Sequence, residues 1–79
     1  MECELKAVKA NPDYTLLLTY DNGEVKLFDM KPYLNLGIFK ELKDLKLFTS
    51  VRMSFDTVEW PNEADLDPET LYNESNAVN

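Results

Sequence analysis

The dipeptide Asn22-Gly23 constrains this chain more than any other feature. It separates two runs suited to strands, Tyr-Thr-Leu-Leu-Leu-Thr-Tyr at 14–20 and Val-Lys-Leu-Phe-Asp at 25–29. Aromatic and β-branched residues pack well on a pleated surface. Asn-Gly between such runs favours a two-residue type I′ hairpin turn, because both turn positions need positive φ. That turn would set the register: Tyr20 faces Val25, Leu18 faces Leu27 and Leu16 faces Asp29. One face then carries Tyr14, Leu16, Leu18, Tyr20, Val25 and Leu27, and is expected to be the core. The other carries Thr15, Leu17, Thr19, Lys26 and Phe28. Its mixed character marks Leu17 and Phe28 as candidate contacts for a neighbour.

The rest of the chain is short elements around this hairpin. Residues 4–10 suit an edge-like strand because of their lysines, and Asn11-Pro12-Asp13 reads as a turn. Asp29 and Pro32 predict a short helical turn. Ile38, Phe39 and Leu42 repeat at helical spacing, and Asp44 is placed to start a second short helix at 45–49. Val51, Met53 and Phe55 alternate with Arg52 and Ser54, which predicts an inward-facing apolar strand. Asp56-Thr57 then connects it to a second strand through Trp60. Asp67, Pro68 and Glu69 predict a helix start: N-cap, first helical residue and dipole-favoured acid. The order is β-β-β-α-(α)-β-β-α. The expected fold is α+β, a small, mostly antiparallel sheet of about five strands with two or three short helices on one face. The expected core is Leu5, Val8, Leu16, Leu18, Val25, Leu27, Ile38, Phe39, Leu42, Phe48, Val51, Met53, Phe55, Val58, Trp60, Leu66 and Leu71.

The 79 residues fit a single domain, 1–79, with an ordered core at about 3–73 and a small polar tail at 74–79 expected to fray. A chain this short buries only about 60–65% of its unfolded surface, so help from a partner chain or self-association is an open expectation. Cys3 is the only cysteine and there is no histidine, so an internal disulfide is excluded and a structural zinc site is not expected. The acidic N-terminus does not read as a secretory signal, and no apolar run nears the ~20 residues that span a bilayer. A lone cysteine fits a reducing compartment, so the expected location is cytoplasmic.

The net charge of −7 is unevenly placed. Residues 1–52 hold all eight basic residues and eight acids, whereas 53–79 hold seven acids and no base. The simple reading is a solvated face. The sharper one is a surface for a basic partner protein, and direct nucleic-acid binding is not expected there. Without histidine, the commonest general base is missing. Cys3, between Glu2 and Glu4, is a poor setting for a nucleophilic thiolate. No enzyme activity and no cofactor are expected. Asp65, Asp67 and Glu69 form the one carboxylate cluster worth testing as a hard-cation site, but the segment lacks a glycine turn and Pro68 stiffens it, so helix capping and solvated charge account for it better. Trp60 and Tyr72 suit either a core or a stacking platform for a base or sugar. Lys40, Lys43 and Lys46 suit either a solvated helix face or a phosphate contact.

Three stretches carry a resemblance. They are the hairpin from Tyr14 to Glu24, the segment from Asp29 through Pro32, Tyr33 and Gly37 to Leu42, and Trp60-Pro61-Asn62 with Asp65-Leu66-Asp67-Pro68 and Leu71-Tyr72. Together, over residues 3 to about 73, the chain resembles the bacterial domain-of-unknown-function family numbered 2442. Glu63 departs from it, standing where the family pattern has glycine. The resemblance implies a small α+β domain, found alone or joined to a helix-turn-helix, and suspected of acting beside a toxin-like partner. It supplies no catalytic residue. With no room for a helix-turn-helix after residue 79, any DNA binding is expected to come from a partner. The leading expectation is therefore a non-enzymatic interaction module, and in its finer form the regulatory or neutralising half of a two-protein, toxin-antitoxin-like pair. Its surface would draw on Trp60, Asp65, Asp67, Glu69, Tyr72, Leu17 and Phe28. The alternative is a small-ligand or nucleic-acid binding module using Trp60, Tyr72 and the three lysines.

Overall fold

The computed structural model describes residues 3–78. Met1, Glu2 and Asn79, which enter the reading of the N-terminus and the tail, lie outside the described residues. The fold is α+β. Strands β1 (Leu5–Ala10), β2 (Thr15–Tyr20) and β3 (Val25–Asp29) form an antiparallel sheet, and a short C-terminal strand β6 (Asn76–Ala77) joins its β3 edge. Strands β4 (Arg52–Ser54) and β5 (Thr57–Glu59) form a separate two-stranded sheet. Between the sheets run two 3-10 segments, Lys31–Tyr33 and Gly37–Lys43, and helix α1 (Leu45–Phe48). Helix α2 (Pro68–Asn73) precedes β6. The expected single five-stranded sheet is thus four strands plus two. The tail expected to fray from residue 74 instead contributes β6 and the buried Ser75.

The Asn22-Gly23 hairpin forms, but its register differs from expectation by one residue. Leu16 faces Phe28, Leu17 faces Leu27, Leu18 faces Lys26 and Thr19 faces Val25. The loop has three residues, Asp21-Asn22-Gly23, closed by Tyr20 N–H to Glu24 O at 2.9 Å and Gly23 N–H to Tyr20 O at 3.1 Å. Of these three, only Gly23 has positive φ, at 89°. This is a turn followed by a left-handed bulge residue, the usual three-residue hairpin loop. A one-residue slip moves every β3 side chain to the other face. Phe28 and Lys26 are therefore buried on the core face beside Leu16, Leu18 and Tyr20. Val25 and Leu27, expected in the core, sit half-buried on the outer face with Leu17 and Thr19.

The same loop occurs twice more. Tyr14 N–H donates to Asn11 O at 3.0 Å while Asn11 N–H donates to Thr15 O at 2.9 Å. Glu63 N–H donates to Trp60 O at 2.9 Å while Trp60 N–H donates to Ala64 O at 2.9 Å. The third loop residue is left-handed each time, with φ 65° at Tyr14 and 72° at Glu63. Glu63 thus occupies a backbone position that glycine fits without strain.

Aromatic rings thread the core. Phe28 stacks on Tyr33, which meets Phe39, which meets Trp60. Trp60 stacks on Phe48, and Phe48 contacts Tyr14. Trp60 has 0% exposure, and its indole N–H donates to Phe48 O at 2.9 Å. Helices of four and six residues cannot stand alone. Asp44 caps α1 by accepting from Lys46 N–H at 3.1 Å, and Asp67 caps α2 by accepting from Thr70 N–H at 3.2 Å, both as their sequences predict. Three residues expected inside are not. Ile38 and Met53 are exposed, and Phe55 lies beyond the end of its strand, in the turn.

Candidate interaction surface

The β4–β5 hairpin is built differently from the other turns. Ser54 pairs with Thr57, so the loop is the two residues Phe55-Asp56, one position earlier than the alternation predicts. Phe55 has φ 56°. A bulky residue is rarely left-handed, and such a conformation costs about 1–2 kcal/mol. Its side chain is 98% exposed. Arg52 and Glu59, a cross-strand pair on this hairpin, form an ion pair at 3.1 Å. That pair is too exposed to contribute much to stability.

The segment after the Trp60 loop returns along β5. Glu59 bridges to Asp65, Leu66 N–H donates to Val58 O at 3.4 Å, and Thr57 Oγ1 donates to Leu66 O at 2.6 Å. This register carries the chain towards the hairpin tip and sets Asp67 level with Thr57, next to Asp56. Asp56, Asp65, Asp67 and Glu69 are all exposed. Among the described residues, Glu59 is the one acid of 53–78 in an ion pair. The hairpin tip, the returning segment and the first turn of α2 thus carry exposed acids, and Phe55 is exposed at that tip.

The other sequence candidates separate. Asp65 and Asp67 lie on the returning segment and Glu69 in the first turn of α2, with one Asp67 carboxylate oxygen taken by the helix cap. No group of three or more Cys, Asp or Glu converges as a metal site among the described residues. Trp60 and Phe28 are in the core, so neither can meet a partner across a surface; the first is held by ring packing and the second by the shifted register. Leu17 stays accessible on the outer sheet face. Trp60 and Tyr72 belong to different ring clusters and form no common platform. Lys40, Lys43 and Lys46 are exposed along the second 3-10 segment and α1.

Tyr72 belongs to a cluster that sequence reasoning missed. Its ring meets Tyr20 edge-on at 5.0 Å, and its hydroxyl donates to Glu24 Oε1. The buried Lys26 ammonium lies 3.6 Å from the Tyr72 ring centre and donates to Tyr72 O at 2.7 Å. Ser75 Oγ donates to the same carbonyl at 2.8 Å. A cation at the last carbonyls of a helix complements its dipole, so α2 is capped at both ends. The Tyr72 hydroxyl is pushed up to about 12 by its hydrogen bond to Glu24, and that same bond holds the Glu24 carboxyl below the usual range. Burial, then the nearby Cys3, pushes Tyr20 up to about 12. The Tyr20 hydroxyl is buried without a hydrogen-bond partner among the described residues. Only the corrected register shows this cluster, because the expected one turns Lys26 away from the core.

Among the described residues, no helix is long and apolar enough to cross a membrane. No curated protein and no solved structure matches the chain. A family model described as "Protein of unknown function (DUF2442)" matches residues 5–77, from the first residue of β1 to the last of β6. By that match over nearly all of its length, the chain belongs to the DUF2442 family.

Proposed function

We propose that this chain is a non-enzymatic protein-interaction module that docks a basic partner protein, as the regulatory or neutralising half of a two-protein pair in a bacterial cytoplasm. The observation that carries this reading is the run of exposed acids, Asp56 at the hairpin tip, Asp65 and Asp67 on the segment returning along β5 and Glu69 in α2, in a stretch without a base. Charge complementarity of this kind steers association and selects partners more than it adds raw affinity. The absence of histidine and the burial of Cys3 give catalysis little to work with.

The test compares binding of the co-purified native partner to the wild type and to the double variant Asp65→Asn/Glu69→Gln. These two positions spare Asp67, whose carboxylate caps α2. The expected partner is basic. Its association should weaken as salt shortens the screening length from about 10 Å at 0.1 M towards about 3 Å at 1 M, and weaken again in the variant. A partner that is acidic, or one indifferent to both salt and the two carboxylates, overturns the proposal.

A further inference from the structure

We propose that Phe55 is the apolar anchor of this surface, inserted into a pocket on the basic partner while the exposed acids of residues 56–69 meet the basic rim of that pocket. This rests on the reading above and adds the residue and the partner's shape. The five other large apolar side chains on the surface are 38–55% exposed, so each keeps much of its area against this chain; Phe55, at 98%, keeps almost none. Its ring therefore contributes nothing to the fold, while its left-handed backbone works against it. A strained residue that its own chain does not use is an indicator of function. Met53, also exposed, extends the apolar tip along the same hairpin.

Aromatic side chains that bury fully on binding, surrounded by polar contacts that exclude water, dominate most interfaces. Phe55, with Asp56 beside it in the turn and the exposed Asp65 and Asp67 on the segment returning along β5, offers an aromatic ring with polar neighbours. The charge decides the occupant. A second copy brings the same net −7 and the same acidic tip, and Lys40, Lys43 and Lys46 are interleaved with Glu41 and Asp44. A pocket rimmed by lysine or arginine on another protein fits instead.

The experiment places the photoreactive residue p-benzoylphenylalanine at position 55 of the full chain, expressed in its native host, and identifies what crosslinks on irradiation. The partner so identified is then titrated against the wild type, Phe55→Gly and Asp65→Asn/Glu69→Gln. The expected results are an adduct with a basic protein and binding at least about 30-fold weaker for Phe55→Gly. Glycine accepts positive φ, so the melting temperature of that variant should equal or exceed the wild-type value, which separates lost binding from lost fold. No adduct, an adduct with a second copy or with an acidic protein, or unchanged binding by Phe55→Gly overturns the anchor. If Phe55→Gly binds normally while the carboxylate variant does not, the anchor fails and the acidic docking surface stands. If the carboxylate variant binds normally at every salt concentration, the docking surface itself fails.

Discussion

The β2–β3 and β4–β5 hairpins solve the same problem with opposite residues. In the first, the one left-handed position is Gly23, and Asn22 fixes the loop by accepting from Glu24 N–H at 3.0 Å. In the second, the left-handed position is a phenylalanine that meets solvent on nearly every side. Tyr14 and Glu63 fall between them. Tyr14 is also left-handed, but its ring meets Phe48 at 5.2 Å and its hydroxyl donates to Lys43 O. Glu63 is left-handed and exposed, with its residue type the only thing set against glycine. Backbone strain is therefore a feature of all three non-glycine positions, and what differs is whether the side chain returns anything to the fold.

Substituting these positions breaks or sharpens that contrast, in order of effect. Tyr14→Gly removes the strain but also the ring contact and the hydroxyl bond, so a net loss of about 2 kcal/mol is expected, read as a fall in melting temperature of roughly 10 °C. A neutral or stabilising result would show that Tyr14 is not held by its side chain. Gly23→Ala should cost about 1 kcal/mol in urea unfolding; nothing lies within 4 Å of the added Cβ, so backbone strain is the whole effect. Glu63→Gly and Phe55→Gly should each gain about 0.5–1 kcal/mol in the same measurement, the relief of strain being partly offset by the flexibility of glycine in the unfolded chain. A loss at Phe55 would mean its ring packs on this chain after all.

The last effect is absent at neutral pH. Tyr20 and Tyr72 have folded pKa values of about 12 against an ordinary 10.0, so the folded state holds both protons more tightly. Their stabilisation is full below pH 10 and is lost as the pH rises from 10 towards 12. Circular dichroism across that window should show the wild type unfolding, with Tyr20→Phe less sensitive because it removes one of the two titrating hydroxyls, the buried one.

Local chemistry was the legible part of this molecule. Asp44, Asp67 and Pro68 mark both helix starts, because a cap needs only a few neighbouring residues to work. The register was not legible. Asn-Gly can fill a two-residue loop or end a three-residue one, and the choice decides whether Leu27 or Phe28 points inward. Phe28 wins because a phenylalanine there completes the run of rings from Tyr33 to Phe48. Alternation placed Phe55 in the core, but β4 ends at Ser54, and past a strand's end the period of two no longer applies. Strand β6 had no signal of its own: Asn76 and Ala77 pair with Leu27 and Lys26 of β3, directly after α2 in the chain. Of the candidate surface, the acids were legible from charge alone, while the exposed phenylalanine at the hairpin tip was not.

The contact that holds α2 there, Lys26 to Tyr72, joins residues 46 apart in sequence. Hairpin loops of two or three residues close quickly, whereas closing a long loop carries a larger entropy cost and comes later. In kinetic terms the latch belongs to the end of folding, so its strength is expressed in how slowly the protein opens and not in how fast it forms. Asp65 and Asp67 lead directly into the helix that this latch retains, so the lifetime of the proposed docking surface is expected to follow a lysine on a different strand, in a different sheet.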